Sequence, residues 1–253
     1  MSKLTLRRVP FVLALCLLTA CSSTPPAPAA TDPQVAYRQA KEQLDGGLFE
    51  DAIKSYEQLE ARFPYGRYAQ QAQLDIAYAY FRQGEAESAL AACDRFIRLY
   101  PNHPNADYAY YLKGRVYEND RIDSWFSFLP QQPLSERDST AINNAFETYR
   151  LLSTRFPNSR YAVDVQERMR NLVEALATHN LNTANYYLAR RAPLAAANRA
   201  QEIITRFPQS KQVEDALVVM VRAYRDLQLT DLASDAERVL RQNYPNNRLV
   251  TGG

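Results

Sequence analysis

Histidine, cysteine and glycine are scarce in this chain of 253 residues, which contains two, three and seven of them respectively. The two histidines, His103 and His179, lie far apart in sequence, which argues against a histidine-based metal site or catalytic triad. No phosphate-binding loop, Gly-x-Ser-x-Gly elbow or Gly-x-Gly-x-x-Gly fingerprint occurs. Few glycines among many alanine, leucine, glutamine and glutamate residues favour an all-α fold. We therefore expect a helical protein that is not an enzyme and binds no metal.

A hydrophobic run long enough to span a membrane is also missing. The most apolar stretch, residues 11–18, falls far short of the roughly 20 apolar residues that a spanning helix needs. Lys3, Arg7 and Arg8 precede this stretch without any acidic residue, and small residues follow it. A basic start, a short apolar core and small residues before a cleavage point are typical of a secretory signal, here residues 1–20.

The segment Leu18-Thr19-Ala20-Cys21 resembles the bacterial lipobox. The resemblance implies that Cys21 carries the acyl chains that anchor the mature protein, and we expect no cofactor besides this covalent lipid. An ordinary secreted protein with a chance cysteine is the alternative. Ser22 stands where an aspartate would retain the protein at the inner membrane, so export to the outer membrane is implied. Residues 21–33 are rich in proline, serine and alanine, which predicts a solvated tether below a folded body in the periplasm.

The mature chain has neither a pair of cysteines nor a basic tract. Cys16 leaves with the signal and Cys21 is lipidated, so Cys93 is left alone and is predicted to be a small core residue. The signal holds three of the 30 basic residues and none of the 28 acidic ones, so the remainder is close to neutral. Without a polybasic run we expect no nucleic-acid partner, and membrane contact through the lipid anchor only.

An aromatic residue followed by proline recurs five times. The pairs are Phe63-Pro64, Tyr100-Pro101, Phe156-Pro157, Phe207-Pro208 and Tyr244-Pro245. The residue twelve positions before each proline is an alanine, namely Ala52, Ala89, Ala145, Ala196 and Ala233. Proline ends a helix because it lacks an N–H, and alanine allows two helices to cross closely. The pattern resembles the tetratricopeptide repeat, in which helix pairs stack into a solenoid.

The spacing between the prolines predicts how the repeats are arranged. The first and last intervals are 37 residues, close to the repeat length, whereas the middle two are 56 and 51. We assign the first excess to an inserted loop at residues 120–139 and the second to a lengthened central helix at about 161–187. The prediction is an all-α, tetratricopeptide-type repeat solenoid of about five helix pairs, with N-terminal repeats at 34–160 and C-terminal repeats at 161–253.

The first helices of such repeats line a concave groove that binds peptides. Candidate groove residues, chosen by repeat position, are Tyr37, Lys41, Leu44, Leu74, Tyr78, Phe81, Arg82, Tyr108, Tyr111 and Arg115. Aromatic rings punctuated by cations suit an extended peptide that ends in an aromatic residue and a free carboxylate. The alternative for these side chains is packing between helices, and the sequence leaves both open.

Two stretches carry a more specific resemblance, residues 63–80 (FPYGRYAQQAQLDIAYAY) and 94–108 (DRFIRLYPNHPNADY). Together with the lipobox and the five repeats they resemble the BamD family, lipoproteins of the machinery that assembles β-barrels in the outer membrane of Gram-negative bacteria. The resemblance implies a non-catalytic scaffold that binds the periplasmic domains of BamA, the lipoprotein BamC and unfolded outer-membrane protein clients. Arg199 matches the C-terminal segment that meets BamA in the family.

Two other hypotheses stay open at this point. The first is a periplasmic adaptor for cell division or peptidoglycan remodelling, and the second is an enzyme. The loop at residues 124–133 departs from the family pattern, and its segment from Trp125 to Phe128 either docks a partner or caps the core.

Overall fold

The computed structural model describes residues 32–118 and 139–251, and these contain eleven helices and no strand. The helices are α1 (Pro33–Asp45), α2 (Phe49–Arg62), α3 (Arg67–Gln83), α4 (Ala86–Leu99), α5 (Ala106–Tyr117), α6 (Ser139–Arg155), α7 (Ala162–Ala189), α8 (Pro193–Arg206), α9 (Val213–Asp226), α10 (Thr230–Asn243) and α11 (Arg248–Thr251). Each helix up to α10 packs on the next, so the predicted solenoid of five helix pairs is confirmed. The signal, Cys21, the inserted loop before residue 139 and the segment from Trp125 to Phe128 lie outside the described residues.

The aromatic–proline pairs end the second helix of every repeat. At each of the five sites the aromatic residue directly follows the helix, and its N–H donates to the carbonyl four residues earlier at 2.7–2.8 Å. Proline then prevents the next helical hydrogen bond and keeps the preceding residue out of the helical conformation. The residues that end the helices in this way are Phe63, Tyr100, Phe156, Phe207 and Tyr244.

The five repeat alanines lie at buried helix crossings. Ala52, Ala89, Ala145 and Ala196 have no exposed surface, and Ala233 is 5% exposed. Gly114 supplies the corresponding space in α5, where the ring of Tyr149 on α6 occupies the position that a Cβ would need. Small residues at these crossings let the helices approach closely, as the repeat pattern predicts. Cys93 is fully buried, which confirms its prediction as a core residue.

The lengthened central helix is confirmed as α7, which has 28 residues where α8 has 14. At 1.5 Å per residue α7 is about 42 Å long, twice the length of its neighbour. It packs against α6, α8 and α9, and one hydrophobic cluster runs from Ile142 on α6 to Leu240 on α10. Repeats three to five therefore share a continuous core that is built around α7.

Candidate peptide-binding groove

The first helices of neighbouring repeats contact one another directly. α1 contacts α3, α3 contacts α5 and α7 contacts α9, in addition to the contacts within each repeat. Side-by-side packing of the first helices places them on the inner side of the curved stack. The groove is therefore lined by α1, α3, α5 and the start of α7.

A buried carboxylate lies in the groove wall between α1 and α3. Asp75 accepts hydrogen bonds from the hydroxyls of Tyr37 at 2.6 Å and Tyr56 at 3.0 Å, and from the side-chain amide of Gln71 at 3.2 Å. Burial raises the pKa of Asp75, and these hydrogen bonds oppose the rise only in part. Gln71 in turn accepts a hydrogen bond from the amide of Asn105 at the start of α5. This polar chain couples the first three repeats along the groove.

Two arginines of the groove are held against tyrosine rings. Arg82 donates to the hydroxyl of Tyr78 at 2.7 Å, and its guanidinium carbon lies 5.1 Å from the centre of the Phe49 ring. Arg115 donates to the hydroxyl of Tyr111 at 2.9 Å, one repeat further on. An arginine that lies over aromatic rings keeps its positive charge while its position is restrained. The groove therefore presents ordered cations among aromatic surfaces.

The groove continues onto α7 through a stacked pair of tyrosines. The rings of Tyr111 and Tyr161 are 4.3 Å apart and nearly parallel, at 12°. One turn along α7, Asp164 accepts a hydrogen bond from Arg168 at 2.8 Å. Burial alone would raise the pKa of Asp164, but hydrogen bonds from Arg168 and Tyr111 outweigh it and lower the pKa. Asp164 is therefore a fixed negative charge at the C-terminal end of the groove.

Glu118 joins three helices behind this stack. It accepts hydrogen bonds from Arg168 of α7 at 2.7 Å and from the hydroxyl of Tyr149 on α6 at 2.8 Å. Although burial lowers the pKa of Arg168, the nearby Asp164 and Glu118 raise it overall, so the guanidinium stays charged. The network connects α5, α6 and α7 at the point where the long helix begins.

Three candidate groove residues are buried, and their assignment as groove-lining side chains is corrected. Leu44 and Phe81 are 3% and 8% exposed, and each lies four residues after the small residue of its first helix, a position that turns into the core. Leu74 has no exposed surface because it packs against Phe96 and Ala109. For these three side chains the structure favours packing between helices.

The other candidates lie at or near the groove surface. Tyr37, Tyr78, Tyr111, Arg82, Arg115 and Lys41 are partly exposed, and Lys41 forms an ion pair with Asp45. Tyr108 sits deeper, beside Tyr161, and burial raises its pKa. Arg199 lies apart from the groove on α8, where it is exposed and paired with Glu202 at 2.9 Å.

Several groove residues were missed by the sequence analysis. Asp75, Glu118 and Arg168 are polar residues on otherwise ordinary helix faces, and only the contact between separate helices shows their roles. A signal did exist for Tyr161, because it follows an aromatic–proline pair at the same distance as Tyr68.

The described helices carry neither a candidate metal cluster nor a candidate membrane span. No group of three or more histidine, cysteine or acidic side chains that could hold a metal occurs within residues 32–118 and 139–251. Over this part of the chain, no helix is both long and apolar enough to cross a bilayer.

Comparison with known proteins gives a consistent match over most of the chain. Residues 29–239 match the family described as YfiO, outer membrane lipoprotein. Outer membrane protein assembly factor BamD of Neisseria meningitidis serogroup B is 46% identical over 83% of this chain and 79% of its own length. The protein of the same description from Vibrio cholerae is 36% identical over 92% of this chain and 96% of its own length. Among solved structures, the TPR2AB domain of yeast Sti1 aligns with a TM-score of 0.44 at 13% identity, covering 85% of this chain and 78% of that one.

Proposed function

Because the chain belongs to the YfiO family of outer membrane lipoproteins, whose relatives are outer membrane protein assembly factors, we propose that it is a non-catalytic scaffold for assembling outer-membrane β-barrels. The observation that carries the proposal is the match to these assembly factors across all five repeats. Outer-membrane localisation follows from the family. We propose the lipid on Cys21 as the anchor, with the repeats in the periplasm.

The proposed protein partners are the periplasmic domains of BamA and the lipoprotein BamC. Arg199 is the proposed contact with BamA, and its exposed position on α8 is compatible with that role. Among the described residues its ion pair is with Glu202 on its own helix, and an exposed pair of this kind is weak enough to be exchanged for a partner's carboxylate.

Unfolded outer-membrane proteins are the proposed clients of the groove. An extended peptide ending in an aromatic residue and a carboxylate would place its ring among Tyr78, Tyr111 and Tyr161. Its carboxylate would meet the guanidinium groups of Arg82 or Arg115. The restrained positions of these cations support the proposal, because little further side-chain entropy is lost on binding.

Purification from outer membranes in a mild detergent tests the scaffold role. We expect BamA and BamC to be recovered with the lipidated chain. Recovery of murein synthases in their place would support the peptidoglycan adaptor and overturn the assembly role. Arg199→Glu should reduce the yield of BamA. The matched control is Arg238→Glu, because Arg238 is also exposed and also pairs with an acid three residues away.

Site-specific cross-linking tests the groove separately. A photoreactive residue at Tyr78 or Arg115 should cross-link to an unfolded outer-membrane protein, whereas the same residue at the exposed position Arg98 on α4 should not. Equal cross-linking at all three positions would contradict a groove-specific interaction. Such a result would leave the scaffold role with BamA untouched.

A further inference from the structure

The turns between repeats lie along one edge of the solenoid, because the paired helices are antiparallel. We define the turn edge as residues 62–68, 99–105 and 155–161, the first three of these turns. The second and third turns are linked, since Arg155 donates to the carbonyl of Pro101 at 3.4 Å and Ser159 donates to Asp107, at the start of α5, at 2.6 Å. The first residue of α1, Pro33, lies at this same edge, because α1 and α3 start side by side with the rings of Tyr37 and Tyr68 5.5 Å apart.

Positive charge dominates the turn edge. Arg62, Arg67, Arg155 and Arg160 are exposed there, and the three segments contain no aspartate or glutamate. None of these four arginines forms an ion pair with a carboxylate of the described residues. Three acids that flank these segments are otherwise engaged, since Asp32 caps α1, Glu60 pairs with Arg95 and Asp107 accepts from Ser159.

Each of these arginines lies over the aromatic ring of the next residue. The guanidinium carbon is 5.6 Å from the ring centre of Phe63, 4.7 Å from Tyr68, 5.8 Å from Phe156 and 4.8 Å from Tyr161. Side chains that join a cationic head to an apolar body are favoured at the boundary between a membrane and water.

The opposite edge of the first two repeats has the opposite charge. Residues 45–51 and 83–87, the turns within these repeats, contain five acidic residues and no lysine or arginine. The acids are Asp45, Glu50, Asp51, Glu85 and Glu87. The N-terminal repeats are therefore polarised across their width, with the chain towards Cys21 leaving from the positive side.

We propose that the turn edge is a second, electrostatic contact with the membrane, in which its arginines lie against anionic phospholipid headgroups. Asp32 lies eleven positions after Cys21, so even a fully extended tether keeps the start of α1 within about 40 Å of the proposed anchor. Unpaired cations near an anionic surface are attracted to it over about a Debye length, roughly 8 Å at physiological salt. The contact orients the solenoid with its acidic edge away from the bilayer.

Because α7 is long, the turns that follow repeats four and five lie away from the turn edge. The turn that follows repeat three bonds to Asp107, the second residue of α5. The turn that follows repeat five bonds to Glu214, the second residue of α9. In repeat four the corresponding residues, Ser210 and Lys211, bond to Glu174, the thirteenth residue of α7. Eleven residues of helix correspond to about 16 Å, which exceeds the Debye length. The cations Arg206, Lys211 and Arg248 therefore contribute little to the contact.

The chain thus offers matched sets of charges for the experiment. Arg62/Arg67/Arg160→Gln removes three cations from the turn edge. Arg206/Lys211/Arg248→Gln removes three cations from the equivalent positions of the displaced turns. In each set, the first residue lies two positions before the proline of an aromatic–proline pair. The other two lie three positions after such a proline.

The readout is the distance of each edge from the lipid in the full lipidated chain. A fluorophore is attached to Tyr65→Cys on the turn edge or to Leu48→Cys on the acidic edge, both exposed, while Cys93 is buried and does not react. Energy transfer to a headgroup-labelled lipid is measured in vesicles of phosphatidylglycerol or of phosphatidylcholine. Flotation on the neutral vesicles reports the anchor independently of this contact.

We expect stronger transfer from position 65 than from position 48 in the anionic vesicles. The difference should vanish in high salt. It should also vanish in Arg62/Arg67/Arg160→Gln, because the loss of three cations should shift the equilibrium between the two orientations of the solenoid on the order of a hundredfold. It should persist in Arg206/Lys211/Arg248→Gln. Equal transfer from both positions, or equal effects of the two triple variants, overturns the proposal and leaves an acidic protein surface as the partner of this edge.

Discussion

At the scale of single residues, the burial of Asp75 should make stability depend on pH. Its folded pKa is raised, so between about 3.9 and that raised value the native state binds a proton that the unfolded state releases. Its contribution to stability therefore falls as the pH rises through this range. We expect the free energy of unfolding of the wild type, relative to Asp75→Asn, to increase as the pH is lowered from 7 towards 4 in urea titrations.

Glu50 provides the control for this measurement. Its pKa is lowered by a hydrogen bond from Lys54, so its contribution is present above its ordinary pKa and is lost as the pH falls. The wild type relative to Glu50→Gln should therefore lose stability on acidification. If the free energy of unfolding changed with pH in the same direction in both comparisons, the burial of Asp75 would not be the cause of its pH dependence.

Gly114 shows how closely two helices approach in repeat three. A Cβ at this position would lie 2.1 Å from Cε1 of Tyr149, well inside any real contact. Helix propensity favours alanine over glycine by about 1 kcal/mol, but overpacking of a core costs about 1–3 kcal/mol. Since the Tyr149 ring is fully buried and has little room to move aside, we expect Gly114→Ala to lower the free energy of unfolding by up to about 2 kcal/mol.

A double-mutant cycle checks the cause of this loss. Tyr149→Leu removes the ring that the new methyl group meets, so the double variant should lose less stability than the sum of the single changes. Additive losses would show that the methyl group meets something other than Tyr149.

At the scale of helices, each of the four described turns within a repeat uses one left-handed residue. It lies five positions before the repeat alanine in repeats one, two, four and five. The residues are Gly47 (φ 77°), Gly84 (φ 79°), Arg191 (φ 57°) and Gln228 (φ 58°). The C-terminal repeats therefore place side chains where the N-terminal repeats have glycine.

This difference predicts that Arg191→Gly stabilises the protein. A left-handed conformation costs an L-residue about 1–2 kcal/mol, and glycine removes this cost from the folded state. The extra conformational freedom of glycine in the unfolded chain offsets about 0.5–1 kcal/mol of this gain. We expect a net gain of up to about 1 kcal/mol in the free energy of unfolding. Arg190→Gly is the control, because Arg190 has φ −86° and should lose stability. A loss at both positions would contradict the strain at Arg191.

At the scale of the whole molecule, the proposed lipid anchor depends on one side chain, Cys21. Cys21→Ala removes the proposed site of acylation, so at high salt, where the electrostatic contact of the turn edge is screened, the variant should no longer float with outer-membrane vesicles in a density gradient. Cys16→Ala lies five residues earlier in the apolar stretch and should float like the wild type. A Cys21→Ala variant that still floated would refute the lipid anchor.

Much of the fold could be predicted because its signals are local. The aromatic–proline pairs end helices through the chemistry of two adjacent residues, and an alanine or glycine at a crossing acts through its own size. The spacing of the prolines therefore predicted five helix pairs and the length of α7. The lining of the groove was harder to predict from the sequence. Leu74 and Tyr111 occupy equivalent repeat positions, but neighbouring side chains bury Leu74 and leave Tyr111 partly exposed.

The sequence by itself determined the repeat, its helix boundaries and the family, since each depends on residues near one another in the chain. The tertiary structure alone decided which side chains share a surface. Asp75 meets Tyr37 across 38 positions, and the arginines of the turn edge are separated by up to 98. The sequence contains no contiguous basic run. The cations nevertheless lie on one side of the solenoid, because the second helix of each repeat ends where the first helix of the next repeat begins.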